Sequence, residues 1–465
     1  MTRPPLRVQT QGRRRSVGEA LRRRGFATLI VLFAMGVSTA VLIGLQGTAL
    51  RQASAGREAV ARVRAYWAAR AGVEAAIARV AFNIESDSGS ATQTMLDLQD
   101  VAGGVLGGGG RGTGGGGARW LCTRLEGEEE KIGAADAHAK LNINRMSQAD
   151  LMELPYMTED IAASILDWID PDDTPNEFGA EIGYYSQLPS PYEPRNAPFK
   201  SLRELELVAG VLPELVRGED WNLNGVLDPN EDDGDMTFPP DDADGVLEPG
   251  WSGLITTESV DEGLARSGQT RLDLAAADSE QLIARFNFLD ALQAQVIAAY
   301  AQDSSARMID FINVPLRTMA ANMGIQAPGI RELAVEEIAE LLDEATLFDP
   351  ADGPVPGRLN VNTCRRETLD YIEPFRTIAG AGLADMIILT RDSRPSGFVS
   401  IMDLLEVPGM SRNTLASLAQ FIDVTSSAYV VSSRGRDINT GIEVEIVATI
   451  ERTAQPVVIS EMIVR

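Results

Sequence analysis

The sequence contains few of the side chains that most enzymes use at neutral pH. Among its 465 residues are one histidine, His138, and two cysteines, Cys122 and Cys364. It has no Ser-His-Asp set, no H-E-x-x-H motif and no P-loop, and His138 has no nucleophile at a suitable spacing. We therefore expect no enzymatic activity and a surface or strand position for His138. The two cysteines lie far apart in sequence, so one disulfide and two free thiols both remain open.

Basic residues are also scarce, and they are unevenly distributed. The chain has 41 lysines and arginines against 67 acidic residues, a formal charge of −26. Eight arginines and one acid fall within residues 1–25, and without that net +7 the remaining chain carries −33. A surface this acidic repels nucleic acid and attracts cations.

Proline is absent from Leu6 through Leu154, and this region contains one long apolar run. The run, Phe26–Leu45, has no charge, and at about 1.5 Å per residue its helix would span ~30 Å, the thickness of a bilayer's hydrocarbon core. The arginines before it predict a cytoplasmic N-terminus and a body outside the membrane. The alternative is a cleaved signal peptide, but the run is long and no A-x-A site precedes a polar mature start.

The apolar run continues into a stretch with helical periodicity. Apolar residues recur every three or four positions, with one slip, at Val60, Val63, Trp67, Val73, Ile77 and Val80. This spacing predicts one long helix from Phe26 to about Phe82. The glycine-rich end of the following segment, Leu96–Gly117, lacks the Lys-Ser/Thr pair of a phosphate loop, so it predicts a flexible linker.

Two parts of the chain have the pattern of strands. Trp120–Leu125 alternates between apolar and polar residues, and a second short candidate runs into Leu141. After Asp423, three runs rich in valine, isoleucine and threonine predict an antiparallel meander. We expect the strands before Lys140 to join that sheet.

An internal repeat occupies the region between these strands. Lys140–Leu154 aligns with Arg358–Ile372, and a weaker third copy begins at Arg271. In the second halves of the copies, Phe199–Val211 aligns with Phe398–Met410. Each copy has a short strand end, a polar cap and apolar helical segments, which predicts helical hairpin units joined in one compound domain.

Acidic residues crowd a proline- and glycine-interrupted segment of the first copy, at Asp170, Asp172, Asp173, Glu177 and Glu181. Without a counter-charge these carboxylates repel one another, and a hard divalent cation would remove the repulsion. They are candidate calcium ligands. The alternative is a solvated acidic loop.

A second acidic loop fits the calcium-loop pattern D-x-N-x-N-G-x5-E without a mismatch. Its candidate ligands are five side chains and, at position 7, a backbone carbonyl: Asp220, Asn222, Asn224, Asp228 and Glu231, with the carbonyl of Val226. A degenerate copy follows at 241–248. No long helix precedes the first loop, so the pattern favours a structural calcium ion over a sensor.

The N-terminal features together resemble type IV pilins and the pseudopilins of type II secretion. In those families a prepilin peptidase cuts after the leader's glycine and methylates the new N-terminal Phe, which implies processing between Gly25 and Phe26. Most members have Glu at the fifth mature position, thought to pair with the N-terminal amine of the neighbouring subunit. This chain has Ile30 there. In a subunit with no other subunit above it, a buried carboxylate at this position would lack the amine that neutralises it. Ile30 therefore suits a subunit at the filament tip.

Ile30, the repeat and the segment Asp167–Gly210 resemble one family of minor pseudopilins, type II secretion system protein K. The segment contains the family's D-x-D run, its G-A-E-x-x-Y-Y element and a helix ending in L-V-x-G. The resemblance implies calcium in an inserted helical domain. It also implies partner pseudopilins that bind the N-terminal helix and pilin body. The implied location is the inner membrane, with the N-terminus cytoplasmic and the body periplasmic.

The repeats also look like helix-hairpin-helix or SAM-like domains, and hairpins of this kind often hold DNA phosphates. Their turns here, LVAGV and EVPGM, lack following lysines and have only Arg217 and Arg412 nearby, and the net charge opposes DNA binding. A membrane-anchored DNA-binding protein for DNA uptake is the alternative function. We favour protein–protein scaffolding and expect no nucleic-acid partner.

These features predict an α+β fold, in which a long N-terminal transmembrane helix packs on a C-terminal antiparallel sheet. A large α-helical domain of SAM-like or helix-hairpin-helix repeats is inserted. The predicted function is that of a minor pseudopilin that caps the pseudopilus tip and helps initiate its assembly. The predicted boundaries are a leader (1–25), a transmembrane helix (26–48), a pilin-like helix, glycine-rich loop and first strands (49–141), a first helical module (142–215), a calcium-loop segment (216–255), an intermediate helical region (256–357), a second module (358–424) and a β-meander (425–465).

Overall fold

The computed structural model describes residues 17–85, 91–106, 117–126, 129–238, 240–261, 263–265, 267–377, 382–453 and 456–465. Its helices are α1 Val17–Glu85, α2 Ala91–Gln99, α3 Gln148–Leu151, α4 Glu159–Ile169, α5 Ile182–Tyr185, α6 Pro213–Arg217, α7 Ser279–Arg285, α8 Ala291–Ala301, α9 Asp310–Asn313, α10 Leu316–Asn322, α11 Val335–Glu344, α12 Glu373–Thr377, α13 Leu383–Asp392 and α14 Arg412–Leu418.

Fifteen strands are present among the described residues. They are β1 Gly103–Leu106, β2 Ala118–Glu126, β3 Glu129–Ile132, β4 Ala135–Asp136, β5 Leu141–Asn142, β6 Ile255–Thr256, β7 Val260–Asp261, β8 Leu272–Asp273, β9 Ala345–Thr346, β10 Val355–Pro356, β11 Leu359–Asn360, β12 Ile422–Asp423, β13 Ala428–Asp437, β14 Glu443–Glu451 and β15 Val458–Val464.

Helix α1 is continuous through the apolar run, as predicted, and extends beyond the predicted helix at both ends. The chain divides between Val63 and Arg64 into two compact units. In the first unit, all side chains from Phe26 to Val60 are exposed. Among the described helices, α1 alone is long and apolar enough, by length and composition, to cross a membrane.

The second unit contains a seven-stranded sheet. Strands β1, β2, β13, β14 and β15 are neighbours in that order, with β3 beside β2 and β4 beside β13, and every pairing is antiparallel. The predicted C-terminal meander is confirmed as β13, β14 and β15, and the predicted strand at Trp120–Leu125 is confirmed within β2. Part of the predicted glycine-rich linker forms β1, and its residues 107–116 lie outside the described residues.

The C-terminal part of α1 packs against this sheet. Its buried side chains, among them Ala69 and Val73, share a core with Tyr429 and Ile446. The backbones approach closely at Gly435 on β13, where a Cβ would overlap the carbonyl oxygen of Ala65. Real Cβ atoms do not come this close to backbone, so only glycine fits here without movement of the helix.

The region between β4 and β13 forms a second, largely helical core. Three units within it each begin and end with a two-residue strand, and the two strands pair in parallel: β5 with β6, β8 with β9 and β11 with β12. The middle unit is the weaker third copy that begins at Arg271 in the sequence. Assignment of the units to the SAM-like or helix-hairpin-helix class stays a prediction.

Hydrogen bonds explain the repeated Asn-x-Asn pattern of the first and third units. Asn144 donates through Nδ2 to the Phe199 carbonyl (3.0 Å) and accepts from the Phe199 amide (2.7 Å). Asn362 makes the same two bonds with Phe398, both at 2.8 Å. In each unit, one asparagine side chain therefore links the first half of the repeat to the second half by hydrogen bonds.

A buried polar cluster joins this insertion to the sheet. Oδ2 of Asp136, on β4, accepts hydrogen bonds from Asn360, Thr363 and Ser426. The neighbouring His138 is 1% exposed, so its predicted surface or strand position is wrong. Its Nδ1 lies 2.8 Å from the Arg358 carbonyl oxygen, and its Nε2 accepts from the Ser427 amide at 3.3 Å.

The two cysteines are both buried and unbonded, which decides between the alternatives left open by the sequence. Burial raises the pKa of Cys122 to about 11 and that of Cys364 to about 12. Both thiols are therefore protonated and unreactive at neutral pH.

We predict that Gly435→Ala lowers the free energy of unfolding by about 2–3 kcal/mol, because the added methyl group must push α1 away from β13. Denaturant unfolding of the full chain in detergent measures this change. The matched control is Gly56→Ala on the exposed face of α1, where a Cβ meets nothing within 4 Å. That variant should be neutral or slightly stabilising, because alanine is the better helix former. Equal stability of the two variants would contradict the close packing.

Candidate metal centre

The first acidic segment lies between two short helices of the first repeat unit. Helix α4 ends at Ile169, and Glu181 occupies the position before the first residue of α5. Aromatic packing fixes the two ends, because Trp168 stacks on Phe199 at a ring-centroid distance of 6.1 Å and meets Tyr185 edge-on at 5.5 Å. The intervening loop therefore returns to the end of α4.

Three carboxylates meet at this point. Asp167, Asp170 and Glu181 each place one oxygen within 4.8 Å of the others. Asp167 is fully buried and accepts hydrogen bonds from the backbone amide of Asn176 (3.1 Å) and from its Nδ2 (2.6 Å). Glu181 is 3% exposed, and neither of its carboxylate oxygens has a hydrogen-bond partner.

A buried carboxylate without a partner is costly, and the electrostatics of the site reflect this cost. Burial, together with the neighbouring charge of Asp167, raises the pKa of Glu181 to about 7. Burial also raises the pKa of Asp170. Three converging carboxylates, of which Glu181 has both oxygens unsatisfied, are the donor set that a hard divalent cation such as calcium prefers.

The structure does not place the other three predicted ligands of this segment in the carboxylate cluster. Asp172, Asp173 and Glu177 are all exposed. Asp172 accepts from the Thr174 amide at 2.7 Å, and Asp173 accepts from Nδ2 of Asn196 at 2.9 Å.

Sequence reasoning missed Asp167. The signal was available, because Asp167 and Asp170 are three residues apart at the end of a predicted apolar helix, and such a spacing places side chains on one face. The predicted ligands begin at Asp170, in the loop, and therefore omit the carboxylate that lies within α4.

The second acidic loop, 220–231, is closed by its own carboxylates. Both end residues are buried, Asp220 at 3% and Glu231 at 2% exposure. Asp220 accepts from the amides of Asn224 (2.8 Å) and Gly225 (2.7 Å). Glu231 accepts from the amides of Trp221 (2.9 Å) and Asp228 (3.1 Å). The loop thus has a defined conformation held by its first and twelfth positions.

The middle positions of the loop also converge. Asn222 and Asn224 both donate through Nδ2 to Oδ2 of Asp228, at 2.7 and 2.9 Å. The backbone at Gly225 has φ of 72°. Glycine adopts this positive φ readily, and it lets the loop turn sharply at this position. The oxygens of these two amide side chains could bind a cation only after both amide groups rotate, because their nitrogens now face Asp228. The Val226 carbonyl and the Asp228 carboxylate could bind it without such a rotation.

The predicted processing position lies near the beginning of α1. Gly25 is helical, and the Phe26 side chain is 68% exposed. Residues 1–16 of the predicted leader lie outside the described part of the chain.

A long helix packed on an antiparallel sheet, with a mainly helical insertion between the strands, is the architecture expected of a pilin-like protein with a large inserted domain. Comparison with known proteins finds a family model that matches one part of the chain. Residues 127–218 match the model for protein K of the type II secretion system. These residues include the three-carboxylate cluster, so this part of the chain is similar to protein K of the type II secretion system.

Individual relatives match over different lengths. The type II secretion system protein K of Pectobacterium carotovorum subsp. carotovorum is 30% identical over 105 residues, which cover 18% of this chain and 32% of that protein. The match thus spans about a third of the relative's length. One chain of the crystal structure of the GspK-GspI-GspJ complex from the enterotoxigenic Escherichia coli type 2 secretion system aligns over 88% of this chain and 99% of its own length. The identity is 12% and the TM-score 0.41.

We predict that the metal-free chain loses stability as the pH rises. Glu181 binds its proton more tightly in the folded state, with a pKa of about 7 against an ordinary value of 4.5. The folded state is therefore favoured below pH 4.5, and this contribution, about 3 kcal/mol, is lost as the pH rises through 7. Denaturant unfolding in a chelator at pH 5 to 8 measures the effect. Glu181→Gln should remove it, while Glu177→Gln, an exposed neighbour, should keep it. An unchanged pH profile in Glu181→Gln would refute the assignment.

Proposed function

We propose that the chain is a minor pseudopilin of a type II secretion system, which caps the tip of the periplasmic pseudopilus and helps initiate its assembly. The residue that carries the proposal is Ile30, at the fifth position after Gly25 in a helix with exposed apolar side chains from Phe26 onward. The protein K domain at 127–218 supports it independently.

The apolar stretch of α1 gives the proposed role a physical basis. Helices of this kind bury their side chains in a bilayer or against other helices, and a carboxylate among them needs a cationic partner. A chain with Ile30 needs no such partner, so no subunit is required above it. The bulky insertion would also obstruct stacking above the tip.

The proposed partners follow from the same features. Other minor pseudopilins would bind the apolar helix and the pilin-like body. A prepilin peptidase would cut between Gly25 and Phe26. The chain would cross the inner membrane once, with its N-terminus in the cytoplasm and its body in the periplasm, because the preceding segment is rich in arginine.

We further propose that calcium stabilises the inserted domain at two places. The first is the cluster of Asp167, Asp170 and Glu181, whose unpaired buried oxygens a cation would satisfy. The second is the loop 220–231, whose spacing fits a calcium loop and whose end carboxylates are already buried. In this proposal the ions hold the fold and take no part in chemistry.

The proposed class predicts a specific N-terminus. When the chain is expressed with a prepilin peptidase, the mature protein should begin at a methylated Phe26, because the enzyme acts on the glycine before the apolar helix. Intact-mass measurement and N-terminal sequencing determine this, and Gly25→Leu serves as the uncleaved control. An intact N-terminus in the unsubstituted chain, or a cut near residue 48, would contradict the pseudopilin assignment.

The two metal sites should respond separately to substitution. Asp167→Asn and Glu181→Gln should weaken calcium binding at the cluster, and Asp220→Ala and Glu231→Ala should weaken it at the loop, in each case by ten-fold or more because a charged ligand is lost. Calorimetry on the full chain measures both sites. Glu336→Gln, which removes an exposed acid on α11, is the control. Unchanged binding in all four variants would eliminate both assignments.

A further inference from the structure

A cleft in the second unit lies apart from both acidic loops. Its volume is about 230 Å³, and it is bounded by α2 on one side and by the turn after α13 on the other. At ~30 Å³ per water molecule it holds roughly seven waters, which suits a ligand of amino-acid size and is below the range of most drug-sized sites.

The floor of the cleft is rigid. It includes Asn360, Thr363 and Ser426, which all bond to the buried Asp136 carboxylate. Asn362 is fixed by the Phe398 and Val424 carbonyls, each accepting from Nδ2 at 2.8 Å. These side chains already have hydrogen-bond partners within the protein. They therefore define the shape of the cleft, and recognition of a ligand depends on the residues of its rim.

The rim carries hydrogen-bond donors that are held in place and still have groups without a hydrogen-bond partner. Nη1 of Arg391 donates to the carbonyls of Val361 (3.3 Å) and Cys364 (2.9 Å), and its Nε donates to Asp392 at 2.8 Å. Within the described part of the chain, Nη2 of Arg391 has no hydrogen-bond partner. The side chains of Gln99 and Ser396, which also line the cleft, have none either among the described residues.

The second arginine of the rim is already neutralised. Arg394 lies over the Phe398 ring at 4.9 Å and donates to Glu406. Arg391 is also ion-paired, with Asp392, which lines the same cleft. Two backbone carbonyls hold its Nη1, and its Nη2 has no partner among the described residues, so Arg391 is the better-oriented donor for a ligand.

The charge around the cleft differs from that of the rest of the chain. The charged side chains that line the cleft are Arg391, Arg394 and Asp392, a net charge of +1, whereas the whole chain carries −26. This balance allows a small anion to approach where the remainder of the surface would repel it. Met95, a buried side chain in the same wall, offers an apolar contact for a short carbon stem.

We infer that this cleft binds a carboxylate on a short apolar stem, of the size of a glutamate side chain. The carboxylate accepts from Nη2 of Arg391, with Ser396 and Gln99 as additional donors. Such a group can come from a free amino acid or from an acidic side chain of another polypeptide. The inference is independent of the proposed secretion role, because it uses neither the apolar helix nor the metal sites.

Calorimetry on the full chain in detergent tests the inference with three probes: free L-glutamate, the blocked peptide acetyl-Ala-Glu-Ala-amide, and L-glutamine as the neutral isostere. Saturable binding of glutamate, the peptide or both, and much weaker binding of glutamine, would support it. The acidic probe that binds more tightly would show whether the carboxylate comes from a free amino acid or from an acidic side chain of another polypeptide. Failure of both acidic probes to saturate, or equal binding of glutamine, would overturn it.

Variants then locate the site. Arg391→Lys should weaken binding roughly ten-fold or more, since lysine cannot keep both carbonyl contacts and also reach the ligand. Gln99→Ala and Ser396→Ala should each weaken it about three-fold, and they decide the question if Arg391→Lys fails to fold. Arg366→Lys, which pairs with Asp370 and Asp385 away from the cleft, is the control. Wild-type affinity in all three rim variants would refute the inference.

Discussion

The fold depends on one buried carboxylate at the point where the helical insertion leaves the sheet. Asp136 belongs to β4, which pairs with β13, and its side chain bonds to residues at the beginning of the third repeat unit and just before β13. A buried charge is tolerated only when donors surround it, and here the donors come from segments more than 200 residues away in sequence. The insertion and the sheet are thus fixed to each other by a polar contact that neither part could satisfy alone.

A second buried carboxylate, that of Glu181, lacks the hydrogen-bond donors that surround Asp136. Glu181 is as deeply buried as Asp136 but has no donor, and it lies beside two further acids. Unsatisfied charge of this kind is rare in native interiors and marks a place where something else supplies the compensation. The same segment lies inside the part of the chain that matches the protein K family model. An unpaired buried carboxylate and the match to the family model therefore coincide at one loop, which supports the calcium site proposed there.

Much of the architecture could be predicted from local patterns. The apolar run and its periodicity predict α1, alternation predicts β2, and runs rich in valine, isoleucine and threonine predict β13 to β15. The sequence repeat predicts helical units, and the structure closes the first and third units with the same two hydrogen bonds. The prediction failed where long-range packing decides. His138 looked like a surface or strand residue because nothing near it in sequence buries it, yet Arg358 and Ser427 enclose it. The meeting of Asp167 with Glu181 also depends on long-range packing, because it forms only when the loop folds back onto α4.

The sequence by itself determined the properties that depend on neighbours along the chain: the length and polarity of the N-terminal helix, the isoleucine at its fifth position after Gly25, the acidic charge and the spacing of the calcium-type loop. These are periodicities and compositions, and no tertiary contact can alter them. The tertiary structure alone decided which carboxylates meet, which cysteines and histidine are buried, and that an arginine with a free nitrogen lines a cleft beside α2. Those outcomes depend on distances between segments far apart in sequence, which packing and hydrogen-bond satisfaction set only when the whole unit is assembled.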